Sequence, residues 1–528
     1  MRTPIVGLIA VALVAALLLS PLTALAADGD FVWAQQMGGK DADVGFGLAL
    51  DAAGNVYTVG QFQGTADFDP GPGVVNFTSS GSLDIFVSKL DSAGKLAWAK
   101  QMGGTDGDYG SDIAVDAAGN VYTTGYFAGT ADFDPGPGTF NLSSAGSIDL
   151  FVSKLDSAGN FVWAKQMGGK GSDASSGLAV DATGNVYTTG RFEGTVDFDP
   201  GPGVFNLSSV GSPDIFVSKL DSAGNFVWAK QMGGKAGGGA GIAVDGAGSV
   251  YATGWFQGTA DFDPGPGTSN LSSTDSADVF VSKLDRDGSL VWAKQMGGTS
   301  YDAGAGLAVD AAGNVYTVGQ FQGTADFDPG PGSVNLSSAG KEDIFVSKLD
   351  RAGNLAWAKQ MGGTSSDYGY SLAVDAAGNV YTTGYFGGTA DFDPGPETLN
   401  LSSAGGPDIF ASKLDRAGNF VWVKQVGGTG SDAGYGLAVD AAGNVYTAGL
   451  FMSTADFDPG PGTFNLSSAG GPDIFVSKLS GPPAPIKPAG GDLEPGSRAA
   501  LPVTWLVLAA VALAAATVAA VALRRRRA

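Results

Sequence analysis

The 528-residue chain holds 85 glycines and 44% apolar residues, but neither cysteine nor histidine. That composition excludes a disulfide framework, thiol chemistry, Ser-His-Asp and Cys-His catalysis, and zinc sites of the usual kind. The formal net charge is −23, with acids spread through the middle of the chain, so the surface repels nucleic acid and anionic lipid head groups.

Residues 1–26 begin with one basic residue, Arg2, continue through an apolar run over 5–19 and end in Ala24-Leu25-Ala26. A basic start, an apolar core and a small-residue cleavage site predict a signal peptide removed after Ala26.

Residues 31–480 are one unit repeated seven times. Trp33, Trp98, Trp163, Trp228, Trp292, Trp357 and Trp422 recur every 64 or 65 residues. A DFDPGPG string recurs with them, and its sixth copy ends in Glu397 instead of glycine. In one unit, Ile113-Ala114-Val115 reads as a short apolar strand, and residues 116–120 (DAAGN) read as a turn. Gly119 supplies the left-handed conformation that such a turn requires. Residues 121–127 return as a second strand, rich in β-branched and aromatic side chains. A loop with DFDPGPG follows, then a third strand over 149–155 (DLFVSKL), a second turn and a fourth strand over 161–166 (FVWAKQ). These strands are apolar on both faces, as expected when each small sheet is covered on both sides. The predicted fold is therefore all-β, a seven-bladed β-propeller of four-stranded antiparallel blades.

The unit is split at the ends of the repeat region. Residues 31–36 (FVWAQQ) come first without a DIFVSKL partner, and residues 473–479 (DIFVSKL) come last without an FVWAK partner. Pairing of the two halves would close the last blade with the N-terminal strand.

Residues 481–502 are rich in Pro and Gly and read as a stalk. Residues 503–523 carry no charge and are long enough to span a bilayer as one helix. The basic tail at 524–528 then places the tail in the cytoplasm and the repeats outside. Leu501-Pro502-Val503-Thr504 resembles a sortase sorting signal, but Trp505 stands where that signal has glycine, so a retained membrane anchor is expected.

The runs IAVDAAGNVYTTGYF from Ile113 and DLFVSKLDSAGNFVWAKQMGG from Asp149 resemble the SBBP repeats, a bacterial β-propeller family. The resemblance extends from Phe31 to Leu479. It implies a propeller and an extracytoplasmic setting, and it implies no defined activity or ligand.

The DFD pairs are the candidate metal ligands. They are Asp67 and Asp69, Asp132 and Asp134, Asp197 and Asp199, Asp261 and Asp263, Asp326 and Asp328, Asp391 and Asp393, and Asp456 and Asp458. In an extended segment both carboxylates point to one side, where nearby carbonyls could complete a Ca²⁺ site. The structural alternative is that the second aspartate caps the turn before proline while the phenylalanine anchors the loop. Calcium is the one cofactor these residues suggest.

A catalytic site normally breaks a repeat's symmetry, whereas these copies keep largely the same residues in the same places. The copies differ chiefly after QMGG, where they read KDADVGFG, TDGDYGSD, KGSDASSG, KAGGGAG, TSYDAGAG, TSSDYGYS and, after QVGG, TGSDAGYG. These segments should line one end of the propeller axis, and their Gly, Ser, Asp and Tyr suit adaptable polar contacts. The expected function is a non-enzymatic, membrane-anchored binding or adhesion scaffold, monomeric, for a surface glycan or protein. A carboxylate-dependent glycan-active enzyme and a purely structural envelope spacer are the rival expectations.

Overall fold

The computed structural model describes residues 27–483. The signal peptide expected over 1–26, all but the start of the stalk at 481–502, the helix at 503–523 and the tail at 524–528 lie outside the described residues. Among the described residues every regular element is a strand, and no helix is long and apolar enough to cross a membrane.

The repeats fold as four antiparallel strands, in chain order except in the last, which takes Phe31–Gly39 as its fourth, and in three repeats the second and third strands are interrupted. In the unit dissected above these are Asp108–Val115, Val121–Asp132, Asn141–Leu155 and Phe161–Gly169. The turns follow the predicted chemistry. Gly119 has φ of 80°, its N–H donates to Asp116 O at 2.9 Å, and Asp116 N donates to Asn120 O at 3.0 Å.

The second and third strands run further than their apolar cores suggest. They continue through GTAD and NLSS, where Asp132 pairs with Asn141 and Thr130 with Ser143. A bulge between Ala128 and Thr130, with Gly129 at φ 59°, bends the ladder outward. The sequence reads as loop there because this extension is polar and half-exposed, so it lacks the apolar signal of a strand.

The central strands are buried on both faces. Val121 to Gly125 and Asp149 to Ser153 are all inaccessible to solvent. Each core is shared between consecutive units: Val59, Ile85 and Val87 of one pack with Ile113, Val121, Phe127 and Phe133 of the next. The first and last units share a core in the same way, through Leu48, Val56 and Phe62 with Tyr446, Ile474 and Val476.

Three contacts join neighbouring units along the ring. The last glycines of one fourth strand pair with the DFD segment of the next unit, Gly103 with Asp132 and Gly104 with Ala131. A Cβ at Gly104 would collide with Thr130 O, so this close approach demands glycine. Trp98 Nε1 donates to Ser157 O in the next unit's turn at 3.3 Å. Each first strand also lies against the first strands before and after it, and Ala433–Val439 of the last unit lies against Val44–Leu50 of the first. The strand Phe31–Gly39 pairs antiparallel with Asp473–Leu479, from Phe31↔Leu479 to Met37↔Ile474. This is the pairing that the split repeat unit predicts.

Candidate functional site

The DFD aspartates serve the loops that hold them. Asp132 Oδ1 accepts from Asp134 N at 3.0 Å and Phe140 N at 2.8 Å, and Asp134 Oδ1 accepts from Gly136 N at 2.8 Å. Asp67 and Asp69 make the same bonds, as do Asp197 and Asp199, and Asp261 and Asp263. So do Asp326 and Asp328, Asp391 and Asp393, and Asp456 and Asp458. Phe133 between them is buried against Phe127 and Phe151, at ring distances of 5.4 and 4.8 Å. The loop is thus a latch whose carboxylates satisfy backbone N–H groups that the turn would otherwise leave unpaired. Among the described residues no group of three or more acidic side chains is gathered for a metal ion.

A second set of aspartates starts the DAAGN turns. Asp116 accepts from Ala118 N, Asn120 N, Asn120 Nδ2 and Tyr122 OH, all within 3.1 Å. These donors outweigh its partial burial and hold the carboxyl below its ordinary range. Lys154 Nζ lies 4.8 Å from the centroid of the Tyr122 ring, and Trp163 meets the same ring edge-on at 6.2 Å. This rim is nearly the same in every unit.

A third set was not singled out from the sequence. Asp84 and Asp108 are buried on either side of Gly103, whose missing Cβ would strike the Asp84 carboxyl. Asp84 Oδ2 accepts from Gln101 Nε2 at 2.7 Å, and Asp108 Oδ2 accepts from Gly104 N at 2.6 Å. Burial, aided by the Asp84 charge, pushes Asp108 up to about 7. The arrangement recurs at Asp473 with Asp43, Asp149 with Asp173, Asp278 with Asp302, Asp343 with Asp367 and Asp408 with Asp432. In the fourth copy KAGGG has no such aspartate, and the Oδ1 of Asp214 takes the Gly211 N–H at 3.1 Å instead.

The molecule departs from its own symmetry at the axis. The first strands each carry a bulge, as between Gly45 and Gly47. The bulged residues are Phe46, Ser111, Ser176, Ala240, Ala305, Tyr370 and Tyr435, and they line a central cavity of about 180 Å³. A bulge leaves its extra residue free of the ladder and re-aims its side chain. Tyr435 packs against Phe46 at 5.2 Å and Tyr370 at 4.9 Å, while Tyr370 meets Tyr385 at 5.9 Å and Tyr368 at 6.2 Å. Burial raises the hydroxyls of Tyr370, Tyr385 and Tyr435, that of Tyr385 to about 12, so all stay neutral.

The segments after QMGG do reach this axial end, as expected. A second varied column joins them there: Gln61, Tyr126, Arg191, Trp255, Gln320, Tyr385 and Leu450, on the second strands. Each pairs with a residue of the variable segment, as Tyr126 does with Tyr109, the rings stacked at 4.6 Å. The signal for this column was in the repeats, which read VGQF, TGYF, TGRF, TGWF, VGQF, TGYF and AGLF at that point. Its meaning needed the register that places both columns side by side.

Repeated antiparallel four-stranded sheets that share cores with their neighbours define a β-propeller repeat protein. The family model described as SBBP, beta-propeller repeat, matches residues 97–126, 162–191, 291–320, 356–385 and 421–450. The chain thus carries β-propeller repeats of this family, five of them matched by the model.

Over 508 residues it is 23% identical to an uncharacterized WD repeat-containing protein of Acanthamoeba polyphaga mimivirus, covering 81% of this chain and 36% of that one. Over 145 residues it is 29% identical to the regulatory protein FlaEY of Caulobacter vibrioides, covering 28% of this chain and 15% of that one. The chain thus spans well under two thirds of the length of both relatives. Among solved structures, the WD40 β-propeller domain of Doa1 is 10% identical and covers 86% of this chain and 97% of that one, with a TM-score of 0.39. Sqt1 from Chaetomium thermophilum is 11% identical and covers 86% and 100%, with a TM-score of 0.38.

Proposed function

We propose that this protein is a membrane-anchored, extracytoplasmic binding scaffold: a closed seven-bladed β-propeller that takes its ligand at the end of the axis where its repeats differ. One observation carries the reading. Copies that hold the same residues in their turns, latches and cores diverge at the bulge residues that line one central cavity, and at the second-strand column that pairs with the same variable segments. Side chains that hold the fold together must repeat with it, whereas side chains that recognise an asymmetric ligand must not.

The cyclic contact of the first strands, together with the pairing of Phe31–Gly39 with Asp473–Leu479, supports seven blades and closure. The apolar run at 503–523 with its arginine tail supports the anchor, and the start at 1–26 supports export. A non-enzymatic role fits the acids, because the DFD carboxylates are engaged by backbone N–H groups. The test is adhesion of cells displaying the protein to a panel of glycan and protein surfaces. Adhesion that Tyr370→Ala with Tyr435→Ala abolishes is the expected result. Adhesion indifferent to both changes would overturn the axial site, and absence of the repeats from protease-accessible cell surface would overturn the anchored topology.

A further inference from the structure

The axial cavity has two unlike walls. Its first strands run around the axis in chain order, so Tyr370, Tyr435 and Phe46 are consecutive and form a continuous aromatic wall. The facing arc carries only small side chains at the same bulge position: Ser111, Ser176, Ala240 and Ala305.

Asp112 stands beside Ser111, where five other copies have glycine in contact with a neighbouring strand: Gly47, Gly177, Gly241, Gly306 and Gly436. Its Oδ1 accepts from Ile113 N at 2.8 Å and its Oδ2 from Leu178 N of the next unit at 2.7 Å. Each oxygen keeps a second lone pair. No lysine or arginine lines the cavity.

We infer that this cavity binds one neutral sugar residue of a glycan, stacked on the Tyr370–Tyr435–Phe46 wall, with its hydroxyls meeting Ser111, Asp112 and Ser176. The inference rests on the axial site proposed above and names its ligand class. A pyranose ring has an apolar C–H face and a rim of hydroxyls. The aromatic wall removes the first from water, and side chains that donate or accept serve the second. The serines can do both, while Asp112 offers acceptors held in place by two backbone N–H groups. An acidic sugar would meet Asp112 with no lysine or arginine lining the cavity to offset it. The empty space opposite the rings matters as much as the rings, since aromatic residues in every copy would fill the cavity.

The experiment is calorimetric titration of the full chain, in a micelle of a detergent without a sugar head group. The neutral probes are tetramers of the cello, malto, manno and chito series. Tetragalacturonate serves as the anionic probe and tetralysine as the cationic one. The expected result is saturable binding of at least one neutral tetramer, one per chain, with no binding of tetragalacturonate. Tyr370→Ala should weaken it by roughly 10-fold or more, as loss of a stacking partner does. Ala305→Trp, which fills the opposite arc without removing a ring, should abolish it. Val210→Ser, at an outer position 82% exposed, should leave it unchanged.

If tetralysine binds instead and Tyr370→Ala abolishes that, the sugar class is wrong and the axial site stands. If a neutral tetramer binds equally well to Tyr370→Ala and Ala305→Trp, its site lies elsewhere and the inference fails. If no probe binds, the sugar class fails, while the adhesion test with Tyr370→Ala and Tyr435→Ala judges the axial site separately.

Discussion

Asp116 and Asp108 lie at opposite ends of one strand and meet opposite fates. At the turn end, four donors converge on Asp116 and hold it ionised. At the axial end, Asp108 is buried beside Asp84 and pushed up to about 7. The first end repeats almost unchanged around the ring; the second carries the varied columns and the cavity. The contrast separates two jobs for one scaffold: the turn end spends its polar groups on its own backbone, and the axial end keeps groups free and tolerates charge repulsion to do so.

The pairing of Phe31–Gly39 with Asp473–Leu479, on which the proposed closure rests, spans both ends, so breaking it should have the largest effect. Deleting residues 31–39 removes the fourth strand of the last blade and uncovers the Asp473–Leu479 edge. The melting temperature should fall by more than about 10 °C, since several kcal/mol of pairing and burial are lost in one step. An unchanged melt would show that the blades are stable without closure.

Asp116→Ala should come next. It leaves the Tyr122 hydroxyl and three N–H groups without their acceptor, and the loss should be about 2–4 kcal/mol in chemical denaturation. Asp132→Asn at the latch is the milder counterpart, because its amide oxygen still accepts from Asp134 N and Phe140 N. It should cost no more than about 1 kcal/mol. Ca²⁺ titration of the melt sharpens this part. A Ca²⁺-dependent rise that Asp132→Asn reduces would give these loops a metal role besides their backbone one.

The buried pairs set the pH response. Burial raises both members of each pair, and Asp43, Asp108, Asp173, Asp302 and Asp367 are pushed up to about 6 to 7, so the folded state binds more protons between those limits and the ordinary aspartate value. Their contribution is fully present below the unfolded pKa and is lost as pH rises through 6 to 7. The turn aspartates run the other way, and Asp181, lowered to about 2, loses its contribution only in strong acid. The melting temperature should therefore fall from pH 5 to pH 8, and Asp108→Asn should flatten that slope. A melting temperature rising across the same interval would contradict the placement of these acids.

A small effect on stability should also come from Tyr370→Ala. The ring is half-buried and borders open space, so the melt should shift by only a few degrees. The same change should have the largest effect on ligand binding, which is the sharpest form of the contrast between the two ends.

Much of the scaffold was legible because it repeats. Glycine at 119 before a β-branched run, the tryptophan spacing and the split unit each reduce to local chemistry or to counting. The latch was legible in part: DFDPGPG announces a turn, but its pairing with the glycines of the preceding unit joins distant segments, Asp132 with Gly103. Asp84 and Asp108 show the limit more plainly. One begins the core of a third strand and the other lies in the segment between units, and no spacing rule links them. They face each other only because Gly103 has no side chain.

By itself, then, the sequence determined the apolar cores of the strands, the turns, the repeat count and the two halves that must find each other, since these follow from periodicity, propensity and composition. Tertiary structure alone decided which carboxylates are stapled and which are buried in pairs. It also decided that Phe46, Tyr370 and Tyr435, from distant parts of the chain, share one wall of a cavity. Pairing register and the order of blades around an axis bring such residues together, and neither is a property of any single segment.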